Sequence, residues 1–98
     1  MIDNTDIINE IITHMNSFGG EFSKWYCGIT EDGRRRLFDE HNVSEDSGIY
    51  IAKTATDKTA AEMIEKYFLD QGCQGAPGGG NENSRIVYAY RITNTTKE

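Results

Sequence analysis

The sequence predicts an α+β fold: a small three-stranded, mainly antiparallel sheet flanked by helices, with elements in the order αβαβαβ within one domain spanning residues 1–98. Three observations carry this. Apolar residues recur at helical spacing in two stretches; aromatic and β-branched residues cluster or alternate with polar ones in three others; glycines and polar residues separate them. Three strands make one small sheet, and helices layered on it bury its apolar face.

The elements follow in order. In TDIINEIITHMNSFGG, residues Ile7, Ile8, Ile11, Ile12, Met15 and Phe18 fit one helical face, which ends at Gly19-Gly20. His14 lies among them and reads as a packing residue. FSKWYCGIT fits a strand with Trp25, Cys27 and Ile29 on one face and Lys24, Tyr26 and Gly28 on the other. EDGRRRLFDEH reads as a short helix capped near Asp32. GIYIAKT is a second strand. TAAEMIEKYFLDQG is the strongest helix, with Thr59 and Glu62 as a capping box, Ala61, Ile64, Tyr67 and Phe68 sharing a face, and Gly72 as its stop. Residues 72–84 are too glycine-rich for a regular element. RIVYAYRIT closes the series as a period-two strand, with Ile86, Tyr88, Tyr90 and Ile92 opposite Val87 and Ala89.

A chain of 98 residues buries only somewhat more than about 60% of its unfolded surface, so any site sits on a modest core. Charged residues make up 27% and hydrophobic ones 37%, and no apolar run approaches the about 18 residues of a membrane span. The acidic opening MIDNTDIINE leads into no signal-like segment, so the cytoplasm is the expected compartment and Cys27 and Cys73 are expected as thiols. The net charge of -6 opposes non-specific attraction to nucleic acid. PGGGN precedes a strand and no helix, so no phosphate-binding fingerprint applies to it.

YCGITEDGRRRL carries a more specific signal. A strand ending in Tyr-x-Gly, then a loop and a helix with an arginine before a bulky apolar residue, resembles the second half of the GIY-YIG nuclease signature. The family's arginine stands ten positions after the tyrosine, where this chain has Arg36 followed by Leu37. Many members place a histidine four residues after the arginine; here that position is Glu40, and His41 comes one residue late. TAAEMIEKYFL resembles the helix whose glutamate binds the family's single divalent metal, and Glu65 is the matching residue, with Glu62 read as a cap. Asn81 or Asn83 stands where many members carry an asparagine. The resemblance covers Phe22 to Leu69, about half the chain.

The family's first GIY strand has no room upstream of Tyr26. The letters SGIY at Ser47 to Tyr50 fall after YCG, where the family has a later strand, so Tyr50 reads as a sheet residue. The C-terminal strand can instead pair with Trp25 to Thr30, as in a circular permutation, offering Tyr88 or Tyr90 as the second tyrosine.

What the resemblance implies is phosphodiester hydrolysis. Tyr26 orients or deprotonates a water, Arg36 offers a rigid fork to phosphate oxygens, and Glu65 holds Mg²⁺ or Mn²⁺ with few protein ligands. Tyr88 and His41 complete the expected catalytic set. The partner is then nucleic acid, DNA in the first instance. The acidic charge and the displaced first motif support a second class, a non-catalytic acidic binding module or inhibitor that contacts a protein. A nuclease should gather Arg34 to Arg36, Arg85 and Arg91 near Tyr26; an acidic module would scatter them.

Overall fold

The computed structural model describes residues 4–75 and 83–98, so PGGGN and Asn81 lie outside the described residues. The regular elements are α1 (Asn4–Ser17), β1 (Trp25–Thr30), β2 (Tyr50–Thr54), α2 (Lys58–Gln71) and β3 (Ile86–Arg91). Two short pieces join them, a 3₁₀ turn at Phe22–Lys24 and a π-helical turn at Arg35–Glu40.

The last strand lies in the middle of the sheet. The spatial order is β1-β3-β2, and β3 runs antiparallel to both neighbours. Trp25 pairs with Arg91, Tyr26 with Tyr90 and Gly28 with Tyr88. On the other side Tyr50 pairs with Tyr90 and Ala52 with Tyr88. The expected pairing of the C-terminal strand with Trp25 to Thr30 is present along the whole of β1. Because β1 and β2 therefore run in the same direction, the chain between them must cross β3, and the π-helical turn makes that crossing.

Strand alternation sorts the side chains into two clusters. On one face Trp25, Cys27, Ile29, Val87 and Ala89 pack against Ile7, Ile11 and Met15 of α1 and Ala61, Ile64 and Phe68 of α2. Both helices thus cover the same face. On the opposite face Tyr88 and Tyr90 pack with Leu37 and Val43, joined by Tyr26, Phe38, Tyr50 and Ile92. His14, half-buried, packs its ring edge-on to Trp25 at 5.9 Å at the margin of the helical face.

The outer edge of β1 is covered by chain that returns after α2. The Cys27 N–H donates to the Gln74 carbonyl at 2.9 Å and the Gln74 N–H to the Trp25 carbonyl at 2.8 Å. Such cover protects an edge that would otherwise template foreign strands. Cys27 and Cys73 are both buried and free. Among the described residues no helix is long and apolar enough to cross a membrane.

One local expectation is corrected. The cap of α2 is Asp57, whose side chain accepts from the Ala60 N–H at 2.8 Å, so Thr59 lies inside the helix and forms no capping box. An aspartate in extended conformation ahead of the first turn starts the helix before Thr59 can. Gly72 ends it in the left-handed conformation at φ 115°, as its position suggests. Asp57→Ala is therefore expected to cost about 1 kcal/mol in urea unfolding, whereas Thr59→Ala stays within about 0.5 kcal/mol.

Candidate functional site

The site forms on the tyrosine face, where the β1–β3 register sets the spacing. Gly28 stands opposite Tyr88, and a Cβ placed on Gly28 would lie 2.5 Å from the Tyr88 hydroxyl and 2.7 Å from Cζ. The glycine of Tyr-x-Gly thus leaves the slot into which the Tyr88 phenol leans. Tyr26 stacks on Tyr90 at 5.3 Å and on Tyr88 at 6.4 Å between ring centroids. Tyr88 and Tyr90 are buried, and Tyr26 is the half-buried member that meets solvent.

His41 sits against all three rings, 4.7 Å from Tyr26, 5.5 Å from Tyr88 and 4.9 Å from Tyr90. Its Nδ1 lies 2.6 Å from the Lys97 carbonyl oxygen and 3.1 Å from the Tyr90 hydroxyl, and its Nε2 lies 2.9 Å from the Tyr88 hydroxyl. A carbonyl oxygen can only accept, so the proton belongs on Nδ1. In a neutral ring Nε2 then accepts, and the Tyr88 O–H donates to it. The geometry is that of a base oriented by a third group.

His41 closes a wider turn than an α-helix makes. The His41 N–H donates to the Arg36 carbonyl at 2.9 Å, a five-residue step, where an α-helix closes four-residue steps. In the wider turn, residues five apart rather than four share a face.

Arg36 acts electrostatically on both Tyr26 and Tyr88. Burial pushes the Tyr26 hydroxyl above its ordinary range, the Arg36 guanidinium opposes that shift, and the Glu65 carboxylate adds to it. Burial likewise pushes Tyr88 strongly up, with Tyr26 and Glu65 adding and Arg36 opposing. Arg36 also pairs with Glu40 at 3.5 Å, and its Nε is buried with no hydrogen-bond partner among the described residues. Tyr26 and Tyr88 thus both feel the charges of Arg36 and Glu65.

Glu65 lies in the buried stripe of α2 beside Ala61, Ile64 and Phe68, with 3% of its surface exposed, and its charge is felt by Tyr26, Tyr88 and Cys27. Burial raises its carboxyl to about 7, and Glu62 one turn earlier adds to the shift. No lysine or arginine pairs with it among the described residues, which also hold no group of three or more His, Cys, Asp and Glu side chains suited to a metal ion. With no cation beside it, burial favours the protonated form of this carboxyl.

The other arginines do not converge. Arg34 pairs with Glu45, Arg35 with Glu40 at 3.4 Å, and Arg91 donates to the Phe18 carbonyl beside α1. Arg85 is exposed, and Asn83 is exposed with its carbonyl accepting from the Arg85 N–H. Tyr50 lies beside the cluster, lining with Asp32, Leu37, Phe38, Ala52 and Ile86 a cavity of about 360 Å³. Sequence reading missed the tail beyond β3, whose Lys97 carbonyl holds His41; nothing in TNTTKE signals a backbone contact. Comparison with protein-family models, curated proteins and solved structures finds no match for this chain.

Glu65 gives a signed pH dependence. The folded state keeps its proton to about pH 7, whereas the unfolded chain releases it near the ordinary 4.5. Between those values the folded state binds more protons, so stability falls as pH rises, by on the order of 3 kcal/mol in all. Urea unfolding across that window should show the fall in the wild type and its loss in Glu65→Gln.

Proposed function

We propose that this chain is a metal-dependent endonuclease-like protein that hydrolyses phosphodiester bonds of DNA, with a GIY-YIG-like site assembled in permuted order. The observation that carries the reading is the packing of Tyr26, Tyr88 and His41 from three separate segments, with Arg36 and Glu65 in electrostatic range of both tyrosines. The contact of His41 with Tyr26 and Tyr88 supports a role for it beside them. β3 beside β1 supplies the second tyrosine that the resemblance requires.

Each residue has a defined task. Tyr26, at the open side of the cluster, orients the attacking water. Burial keeps the phenols protonated, so a tyrosinate is a poor candidate for the base and the free lone pair of His41 Nε2 is the better one. The water proton passes to the Tyr88 oxygen as the Tyr88 proton moves to Nε2. The hydroxide formed attacks phosphorus, the bond to the leaving oxygen breaks, and that oxygen takes a proton from water. Arg36, with its unpartnered Nε, pairs with phosphate oxygens. Glu65 would hold Mg²⁺ or Mn²⁺, which supplies Lewis-acid stabilisation of the phosphate charge. Two buried thiols accord with a cytoplasmic, reducing setting.

One observation favours a second reading, the non-catalytic acidic binding module. Arg34, Arg35 and Arg91 are engaged by other groups instead of facing Tyr26, and the net charge is -6. The two readings separate in one assay. Folded wild-type chain is expected to nick supercoiled plasmid in Mg²⁺ or Mn²⁺. Arg36→Ala and Glu65→Ala should lower the rate by about 100-fold or more, and His41→Ala by about 10² to 10⁴. Folded wild-type protein that cleaves with neither metal removes the enzyme reading and leaves the binding module.

A further inference from the structure

The segment after β3 makes more contacts than a frayed terminus needs. The Lys97 N–H donates to the His41 carbonyl at 2.7 Å while the Lys97 carbonyl meets His41 Nδ1 at 2.6 Å, so one residue clasps both ends of the histidine. Asn42 Nδ2 donates to the Thr95 carbonyl at 2.8 Å. Thr96 closes the turn, accepting from the Thr93 N–H and donating to the Thr93 carbonyl, each at 3.1 Å. The Tyr90 hydroxyl lies 3.1 Å from Nδ1 and donates to Glu98 at 3.4 Å.

We infer that Thr93–Lys97 is a positioning strap that fixes the tautomer of His41, with the Lys97 backbone carbonyl and the Tyr90 hydroxyl holding the proton on Nδ1 so that Nε2 stays free to accept from Tyr88. Lys97 and Tyr90 are positioning residues here, since they act through the histidine. The inference rests on the proposed hydrolytic reading for its consequence, but the tautomer itself does not. A neutral imidazole has two tautomers and in each only one nitrogen can accept. Were Nε2 protonated, Nδ1 would face the Lys97 carbonyl with two lone pairs opposed, and Tyr88 would lose its acceptor. The strap therefore selects the one neutral form that can take a proton from the tyrosine side.

The test is the ¹⁵N spectrum of His41 in the full chain, uniformly ¹⁵N-labelled at histidine and assigned by the signals lost in His41→Asn. Two-bond correlations distinguish the Nδ1–H, Nε2–H and doubly protonated rings directly. Near neutral pH the wild type is expected to show Nδ1–H. An Nε2–H or a doubly protonated ring in the wild type overturns the inference, whether or not the chain cleaves DNA. Lys97→Pro removes the N–H that clasps His41, at an exposed position away from the core, and Tyr90→Phe removes the hydroxyl at Nδ1. Lys97→Pro should move the ring toward a mixture containing Nε2–H while circular dichroism stays unchanged, and plasmid nicking should fall in proportion to the Nδ1–H fraction lost. A ring that remains wholly Nδ1–H in both variants overturns the strap's role and leaves the tail as packing. Loss of nicking with an unmoved tautomer contradicts it equally. A correct tautomer in a chain that never cleaves counts against the hydrolytic reading alone.

Discussion

Everything on the tyrosine face depends on β3 lying between β1 and β2. That pairing sets Tyr90 opposite Tyr26 and Tyr88 opposite Gly28, and the missing side chain of Gly28 lets the Tyr88 phenol lean across the strand. A register slip by one residue would turn Tyr88 and Tyr90 into the helical core and bring Val87 and Ala89 out, so the apolar packing of Val87 and Ala89 under α1 and α2 fixes the tyrosines as firmly as their own contacts do. The core on one face thus positions the chemistry on the other.

The polar cluster is held by directional contacts in place of charge. The three tyrosines are kept neutral by burial, His41 is clasped by backbone groups of Lys97, and the one guanidinium in range, Arg36, is shared with Glu40. Such an arrangement suits proton transfer, because each hydrogen bond has a defined donor and acceptor. It suits non-specific attachment to a polyanion poorly, in line with the acidic surface.

Much of this was readable in the sequence because strands and helices announce themselves through periodicity. The alternation of Ile86, Tyr88 and Tyr90 with Val87 and Ala89 placed the two faces of β3, and Trp25, Cys27 and Ile29 did the same for β1. The pairing of the first strand with the last was one of two alternatives the sequence left open, and the register shows it. Three features did not follow. The helix start at Asp57 was masked by a nearer capping pattern at Thr59 and Glu62, and local chemistry decided between them. The π-helical winding has no residue signature of its own, and the segment read only as a short helix. The Lys97 contacts are made by backbone, which no side-chain pattern reports. Tyr50, read as a sheet residue, opens β2 and lines the neighbouring cavity.

The central claim is that the carboxylate of Glu65 and the tyrosine face form one metal-supported site, and paramagnetic broadening by Mn²⁺ tests it most directly. Substoichiometric Mn²⁺ added to ¹⁵N-labelled chain, with a short phosphorothioate oligonucleotide to complete the site, should broaden amides around Glu65, Tyr26 and Gly28 first, and Glu65→Gln should abolish that pattern. Broadening centred on other acidic residues, or unchanged by Glu65→Gln, would contradict the account.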